Sequence, residues 1–370
     1  MKIKDMPDFN RKESHFHMQN MIDGFLTYFQ NHSCIKHDPV KISSGIDPSV
    51  RFIGSHISVL KPYFLNDSIP AGGYVMSQPC IRTRNLKNYE NDDFYPNWGS
   101  YFPSLGILTK PERLEDITKQ TYSFIQEQWN IDPHDIKIRI SARDADLMDL
   151  AHSMFKSEMF EIDTMQPKYY RHKLGIDGVW GRNFNLALRD YGKDTFSDIG
   201  NVIILENQDK QLGIEIALGS STVLKQIYGL NHVMDCHPVL GLDKYIQNPN
   251  IRVKMEDTIV TSMALYNDGL EPSNKGNTNR LMKKYLEIMK ACADKTNLPK
   301  EVLRKTLHQY ELLEYGSNKG EYTQKIMDFM CPTSQNQKSN TEVIENQQKQ
   351  TGENSSNSII FTLTQNKLSR

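Results

Sequence analysis

The chain has 370 residues, of which 38% are hydrophobic, with a formal net charge of −1 and a pI of about 6.8. That length can bury a large core, and the balanced charge excludes a global field that would draw the whole molecule onto nucleic acid. No apolar run approaches the roughly 20 residues of a membrane span, and the five cysteines are odd in number with no C-x-x-C pair, so a reduced, cytoplasmic protein with no membrane partner is expected.

Residues 1–17 are polar and expected to fray. Met21, Ile22, Phe25, Leu26 and Phe29 recur at helical spacing and predict an amphipathic helix ending near Asn31 and His32. Residues 40–80 read as strands and turns, with Ile42, Phe52, Ile53, Ile57 and Val59 as strand formers and Gly72-Gly73 as a turn. Thr109, Pro111 and Glu112 predict a capping box opening a helix that carries Leu114, Ile117, Phe124, Ile125 and Trp129. Residues 136–140 alternate as a half-buried strand, and Leu147, Leu150, Ala151, Met154 and Phe155 form a further helical stripe. Residues 201–205 and 212–218 are apolar strands joined by the polar turn 207–210, which reads as an antiparallel hairpin.

After about residue 245 the character changes to helix, over 257–265, 279–293 and 299–315. Residues 333–358 are rich in Asn, Gln, Ser and Lys and expected to be disordered. Ile359-Ile360-Phe361 reads as a frayed end or a short docking motif. No internal repeat is found. The expected layout is an α+β domain on a largely antiparallel sheet over 1–245, a helical domain over 246–331 and a polar tail over 332–370.

Two uncommon strings then stand out. One is Asp268-Gly269-Leu270-Glu271-Pro272-Ser273-Asn274-Lys275-Gly276, followed by Arg280-Leu281-Met282-Lys283-Lys284; the other is Ser77-Gln78-Pro79-Cys80-Ile81-Arg82. The first resembles the D-G-x-x-P-S-N-x-G signature and basic helix of alanyl-tRNA synthetases, and the second resembles the second class II motif of that family. Phe25-Leu26-Thr27-Tyr28-Phe29, Phe52-Ile53-Gly54-Ser55-His56 and Lys61-Pro62-Tyr63-Phe64-Leu65 extend the likeness upstream, so that it runs from about residue 20 to about 310. The resemblance implies a class II synthetase fold, an antiparallel sheet flanked by helices with a helical tRNA-recognition domain after it. It further implies activation of alanine or another small amino acid with ATP and Mg²⁺, transfer to a tRNA acceptor stem, and the homodimer that class II synthetases often form.

Adenylate formation needs a cation on the α-phosphate of ATP, and the planar fork of arginine suits phosphate oxygens. Arg82 matches the family arginine in this role, with Arg84 as a second candidate and Gly219 as the anchor of the third motif; a structural or surface arginine is the alternative. Asp198-Ile199-Gly200-Asn201-Val202 looks like the family E-I-W-N-x strand, which makes Asn201 an amino-acid contact. Glu215 aligns with the family's ammonium-binding aspartate, one methylene longer; a solvent-facing residue on an alternating strand is the alternative.

Several positions depart from the family. Pro103 stands where the second motif has glutamate, Asn97-Trp98-Gly99 replaces its basic residues, and Ala217, Ser221 and Thr222 replace a glycine, a glutamate and an arginine of the third. Losing one charge-assisted phosphate contact costs about 3 kcal/mol of transition-state stabilisation, roughly a hundredfold in rate. On the RNA side, Arg280, Lys283 and Lys284 fall at i, i+3 and i+4, one helix face able to meet adjacent phosphates, with Asn274 and Asn279 as polar contacts; a solvated face is the alternative.

His232, Cys236 and His237 lie within a helical turn of one another, yet no fourth ligand is evident, so no metal site is expected. No glycine-rich phosphate loop is present. The editing and C-terminal modules of full-length alanyl enzymes are not expected. Three functions fit: a divergent alanyl-type ligase, a pseudo-synthetase that binds tRNA or a protein, or a ligase with another acceptor.

Overall fold

In a computed structural model, which describes residues 9–331, the chain forms two compact units divided after Gly320. The polar tail over 332–370, the docking motif within it and the first eight residues lie outside the described residues.

Strand periodicity organises the larger unit. Its strands are β1 (Ile35–Lys36), β2 (Tyr74–Ile81), β3 (Tyr101–Thr109), β4 (Ile136–Ser141), β5 (Phe160–Asp163), β6 (Arg171–Lys173), β7 (Trp180–Arg189), β8 (Phe196–Glu206) and β9 (Gln211–Gly219). They form one sheet in the order β1-β2-β3-β9-β8-β7-β4-β5, with β6 on the β7 edge that β4 also uses. Only the β1–β2 and β4–β5 pairs are parallel among the described strands.

Leu105 and Ile107, Ile214 and Ile216, Val202 and Ile204, and Phe184 and Leu186 all enter one core. That face is covered by α1 (Ser14–Asn31), α3 (Leu114–Glu127), α4 (Ala145–Met154) and α5 (Ser220–Tyr228). Because side chains alternate along a strand, the intervening residues turn to the opposite face. Those residues include Ser104, Gly106, Asn183, Asn185, Asn201 and Glu215. This second face is capped at one end by α2 (Ile57–Leu65), whose Ile57, Leu60 and Phe64 pack with Met76, Leu108, Ile203 and Leu205.

Three local expectations are corrected. Residues 57–65 are helical, not extended, because spacing of i, i+3 and i+7 gives Ile57, Leu60 and Phe64 one face to bury, and that burial outweighs β-branching. Thr109 makes no capping box: pairing with Ile214 holds it in β3, its hydroxyl has no partner, and Lys110 instead caps a 3-10 turn, Pro111–Arg113, that leads into α3. Residues 10–17 do not fray, since the Asn10 side chain caps the turn Arg11–Glu13 and α1 starts at Ser14.

The expected helices after 245 are α6 (Pro249–Asn267), α7 (Asn277–Lys295) and α8 (Lys300–Tyr315). The smaller unit contributes α9 (Glu321–Met330), which periodicity did not single out. No helix among the described residues is long and apolar enough to cross a membrane.

Helix α6 is buried almost all round, and it holds the connection between β2 and β3 by one carboxylate. Asp257 accepts from the Ser100 amide at 2.6 Å, from the Ser100 hydroxyl at 2.6 Å and from the Tyr89 hydroxyl. Asp257→Ala would leave the buried Ser100 groups without an acceptor, at an expected cost of ~3 kcal/mol in urea denaturation. A loss well under ~1 kcal/mol would show that the clamp is dispensable.

Candidate active site

The site starts where β2 and β3 part company. Pro79 and Pro103 face each other across the pair, while β1 reaches β2 only at Tyr74 and Val75 and β9 joins β3 only from Ser104 onward. Neither proline therefore has an outer neighbour asking for an amide hydrogen, which is how a strand tolerates them. Beyond them Arg82 leaves the sheet. Its amide donates to Ser100 O at 2.9 Å, its Nε donates to Gly54 O at 2.9 Å, and its guanidinium lies 4.9 Å from the Phe102 ring centroid. Arg82 is exposed to the cleft, yet the protein around it lowers its pKa by desolvation, and the Arg84 charge acts in the same direction.

A cavity of about 320 Å³ opens here, and Arg82, Arg84 and Gly219, all expected at a nucleotide site, line it together. Trp98, Tyr101 and Phe102 supply aromatic walls; Ser221 and Thr222, from the first turn of α5, line another side with His237. Burial keeps His237 neutral, its pKa pushed down to about 4, so Arg82 and Arg84 are the cations of this cavity. Among its lining residues there is no Asp or Glu, so the lining of this cavity supplies no carboxylate ligand for a magnesium ion. Arg11 braces the wall beneath: Nε donates to His237 O at 2.9 Å, and Nη2 donates to Met234 O at 3.0 Å and Glu256 at 2.7 Å.

A second cavity of about 970 Å³ shares Arg82 and Arg84 and runs from the loop before α2 to β6. Asn201 lines it, as does Tyr169, which also lines the first cavity. The Asn201 amide donates to Asn185 Oδ1 at 2.6 Å, Asn185 donates to Asp198 at 2.6 Å, and Asn183 donates to Asn185. His172 donates from Nε2 to Asn183 Oδ1 at 2.9 Å, and Asp198 also accepts from Tyr169 at 2.6 Å and Arg139 at 2.8 Å. Asn201 is thus the cleft end of a hydrogen-bonded seam. Tyr169, His172, Lys168, Lys173 and Arg51 were not singled out from sequence, although the basic and aromatic run at 168–173 was a visible signal.

Glu215 is placed elsewhere. It is 2% exposed, so the solvent-facing alternative is corrected, and it is absent from the lining of both cavities. Its Oε1 lies 3.3 Å from Nε2 of the fully buried His56, whose Nδ1 is 3.0 Å from the Ser104 hydroxyl. Desolvation drives both groups to their neutral forms, pushing Glu215 up to about 8 and His56 down to about 3. Gly106 makes room for this pair, because a Cβ there would come within 2.0 Å of the His56 ring.

The residues expected to grip RNA sit together on the surface. Asn274 accepts from Arg280 through its backbone oxygen at 3.1 Å and from Lys283 through Oδ1 at 2.7 Å, while Lys284 pairs with Glu90. Within the signature, Asp268 holds the distant Ile42 and Ser43 amides at 2.6 and 3.0 Å. The histidine and cysteine cluster serves the backbone: His232 Nε2 donates to Pro96 O at 2.7 Å while Nδ1 accepts from the Met234 amide at 3.0 Å. Among the described residues no three His, Cys, Asp or Glu side chains are grouped to hold a metal ion.

No protein-family model and no curated protein matches the chain. Among solved structures it is similar to an aspartyl-tRNA synthetase from Entamoeba histolytica, at 10% identity and TM-score 0.38, over 61% of this chain and 57% of that one. It thus spans little more than half of that enzyme. It is also similar to the RNA-binding domain of threonyl-tRNA synthetase from Cryptosporidium parvum Iowa II, at 9% identity and TM-score 0.40, over 76% of this chain and 81% of that one. A third similar structure is apo S. aureus histidyl-tRNA synthetase, at 11% identity and TM-score 0.37, over 76% and 87%.

The buried pair has a pH signature. Folded Glu215 keeps a proton that the unfolded chain releases above its ordinary pKa of 4.5, so its contribution to stability falls as pH rises from there to about 8. His56 acts oppositely, adding stability as pH rises from about 3 to 6.5. Only the Glu215 effect remains between 6.5 and about 8. There the unfolding free energy should decline by up to ~1.4 kcal/mol per pH unit from this group. Glu215→Gln should flatten that limb in urea titrations at several pH values; equal slopes for both proteins would mean Glu215 is ionised in the fold.

Proposed function

We propose that this chain is a class II synthetase-like ligase that activates a carboxylic acid with ATP. The observation that carries this is the convergence of Arg82, Arg84 and Gly219, residues of two distant motifs, on one aromatic-walled cavity. On this reading Trp98 stacks on the base, and Arg82 and Arg84 donate charge-assisted hydrogen bonds to phosphate oxygens. A carboxylate oxygen attacks the α-phosphorus, the bond from that phosphorus to the bridging oxygen breaks, and pyrophosphate leaves with the electron pair. A hydroxyl or amine of the acceptor then attacks the acyl carbon, AMP departs, and the acceptor proton passes to solvent. A magnesium ion would be held by the nucleotide's own phosphates, since no carboxylate lines this cavity. Alanine or another small amino acid is the acid suggested by the alanyl-type strings, and a tRNA acceptor stem is the acceptor.

A second reading has its own support. Ser221 and Thr222 line the nucleotide cavity where the family it resembles has a glutamate and an arginine, which favours a pseudo-synthetase that recognises tRNA or a protein without chemistry.

Amino-acid-dependent ATP–pyrophosphate exchange, with alanine, serine, glycine and a wider panel, with and without tRNA, separates the two. The ligase reading expects exchange that Arg82→Ala lowers by about a hundredfold. Its absence for every acid, alongside intact tRNA binding, would leave recognition as the function.

Reversing charge at Arg280, Lys283 and Lys284 to Glu tests the RNA face separately. Affinity for tRNA should fall, and the slope of log affinity against log salt should shrink by about 2–3. Unchanged affinity and slope would remove this helix from RNA contact.

A further inference from the structure

The larger cleft has an unbalanced set of charges. The carboxylate among its lining residues, Asp47, is already engaged, and so are Asp198 and Asp144 behind it. Asp47 accepts from Lys61 at 2.6 Å and from the Ser49 hydroxyl at 2.6 Å. Asp198 accepts from Arg139, Tyr169 and Asn185, and Asp144 takes both terminal nitrogens of Arg171 at 2.7 Å each. Glu215, the one carboxyl on the neighbouring strand face that sequence offered for an ammonium group, is buried against His56.

The cations are left over. Arg51, Arg84, Lys168 and Lys173 all line the cleft, all are exposed, and among the described residues none of them has an ion-pair partner. Among the described residues the Arg82 side chain donates to a backbone oxygen and lies over an aromatic face, with no ion-pair partner. At about 970 Å³ the cavity is also far larger than a small amino acid requires.

A free ammonium entering here would lose water and face unpaired cations, since the lining carboxylate Asp47 is already held by Lys61, whereas an anion would meet several unneutralised cations in a partly desolvated cleft. We infer that this cleft binds a small acid carrying two or more negative groups and no free ammonium, either a di- or tricarboxylic acid or a phosphorylated carboxylic acid. Arg82 and Arg84 line both cavities, so one carboxylate can lie beside the nucleotide while the remaining charges face Arg51, Lys168 and Lys173. That such an acid is the acyl substrate rests on the ligase reading above; that it binds does not.

Isothermal titration calorimetry on the full chain, without ATP, tests this with citrate, succinate, 3-phosphoglycerate and alanine. Citrate or 3-phosphoglycerate should bind at least tenfold tighter than alanine, with affinity falling as salt rises. Preference between those two identifies a carboxylate or a phosphate as the second anionic group. The double variant Lys168→Glu, Lys173→Glu should lose at least tenfold in affinity, and Lys168→Gln, Lys173→Gln should lose less while keeping the same thermal midpoint. Alanine binding as tightly as any polyanion, no polyanion binding at all, or unchanged affinity in both variants would overturn the inference. Pyrophosphate exchange on the same acids separates this from the ligase reading. Exchange with alanine alone keeps the ligase and removes the polyanion as its acyl substrate; polyanion binding without any exchange keeps the binding inference and removes the ligase.

Discussion

A sheet that is aliphatic on one face and carries a buried polar strip on the other has to satisfy that strip from its own side chains. This constraint shapes everything around the cleft. Asn183 and Asn185 are fully buried, and each finds its partner in another side chain of the same face, ending at Asn201 and Asp198. Such chains are costly when half satisfied and stiff when complete. On β9, two strands away, Glu215 and the neighbouring His56 answer the same constraint differently: burial outweighs the nearby charges, and both give up their own.

The helices after the sheet act on the site by holding loops. Asp257 on α6 fixes the segment between β2 and β3, from which Trp98 faces the smaller cavity. Asp268, just past the end of the same helix, secures the segment at Ile42 and Ser43. Gly269 and Gly276 take φ values of +91° and +76°, which a side chain would strain, and the Asn279 amide donates to Glu271 O at 2.6 Å to close the turn between them. Much of the signature string is therefore spent on folding its own turn. The cations beyond it stay near solvent, where pairs such as Lys284 with Glu90 contribute little to stability and yield easily to a competing anion.

Periodicity made α1, α3, α4 and the β8–β9 hairpin legible, because each buries a regular stripe against one large core. It failed where a residue's neighbours in space mattered more than those in sequence. Residues 180–189 alternate between core residues such as Phe184 and Leu186 and the asparagines of the polar seam, a pattern that looks weak until β8 and β4 are beside it. Thr109 looked like a cap because its commitment to β9 is invisible locally. Arg82, Arg84 and Gly219 were named by motif strings, and the sheet order explains why they line one cavity. The placement of Glu215 could not be read, since it depends on a histidine far upstream and on a glycine that vacates the space between strands.

The bracing of the cavity wall by Arg11 bears on the order of assembly. Its bonds to Met234, His237 and Glu256 span 223, 226 and 245 residues of chain. During synthesis the Arg11 guanidinium therefore waits for these partners until residues 234–256 have been made, and the wall it supports cannot be locked before Glu256 has left the ribosome. Contacts of such high sequence separation are formed late and against a large loop-closure entropy. The strands that frame the cavity, all complete by Gly219, therefore precede the brace that fixes its wall.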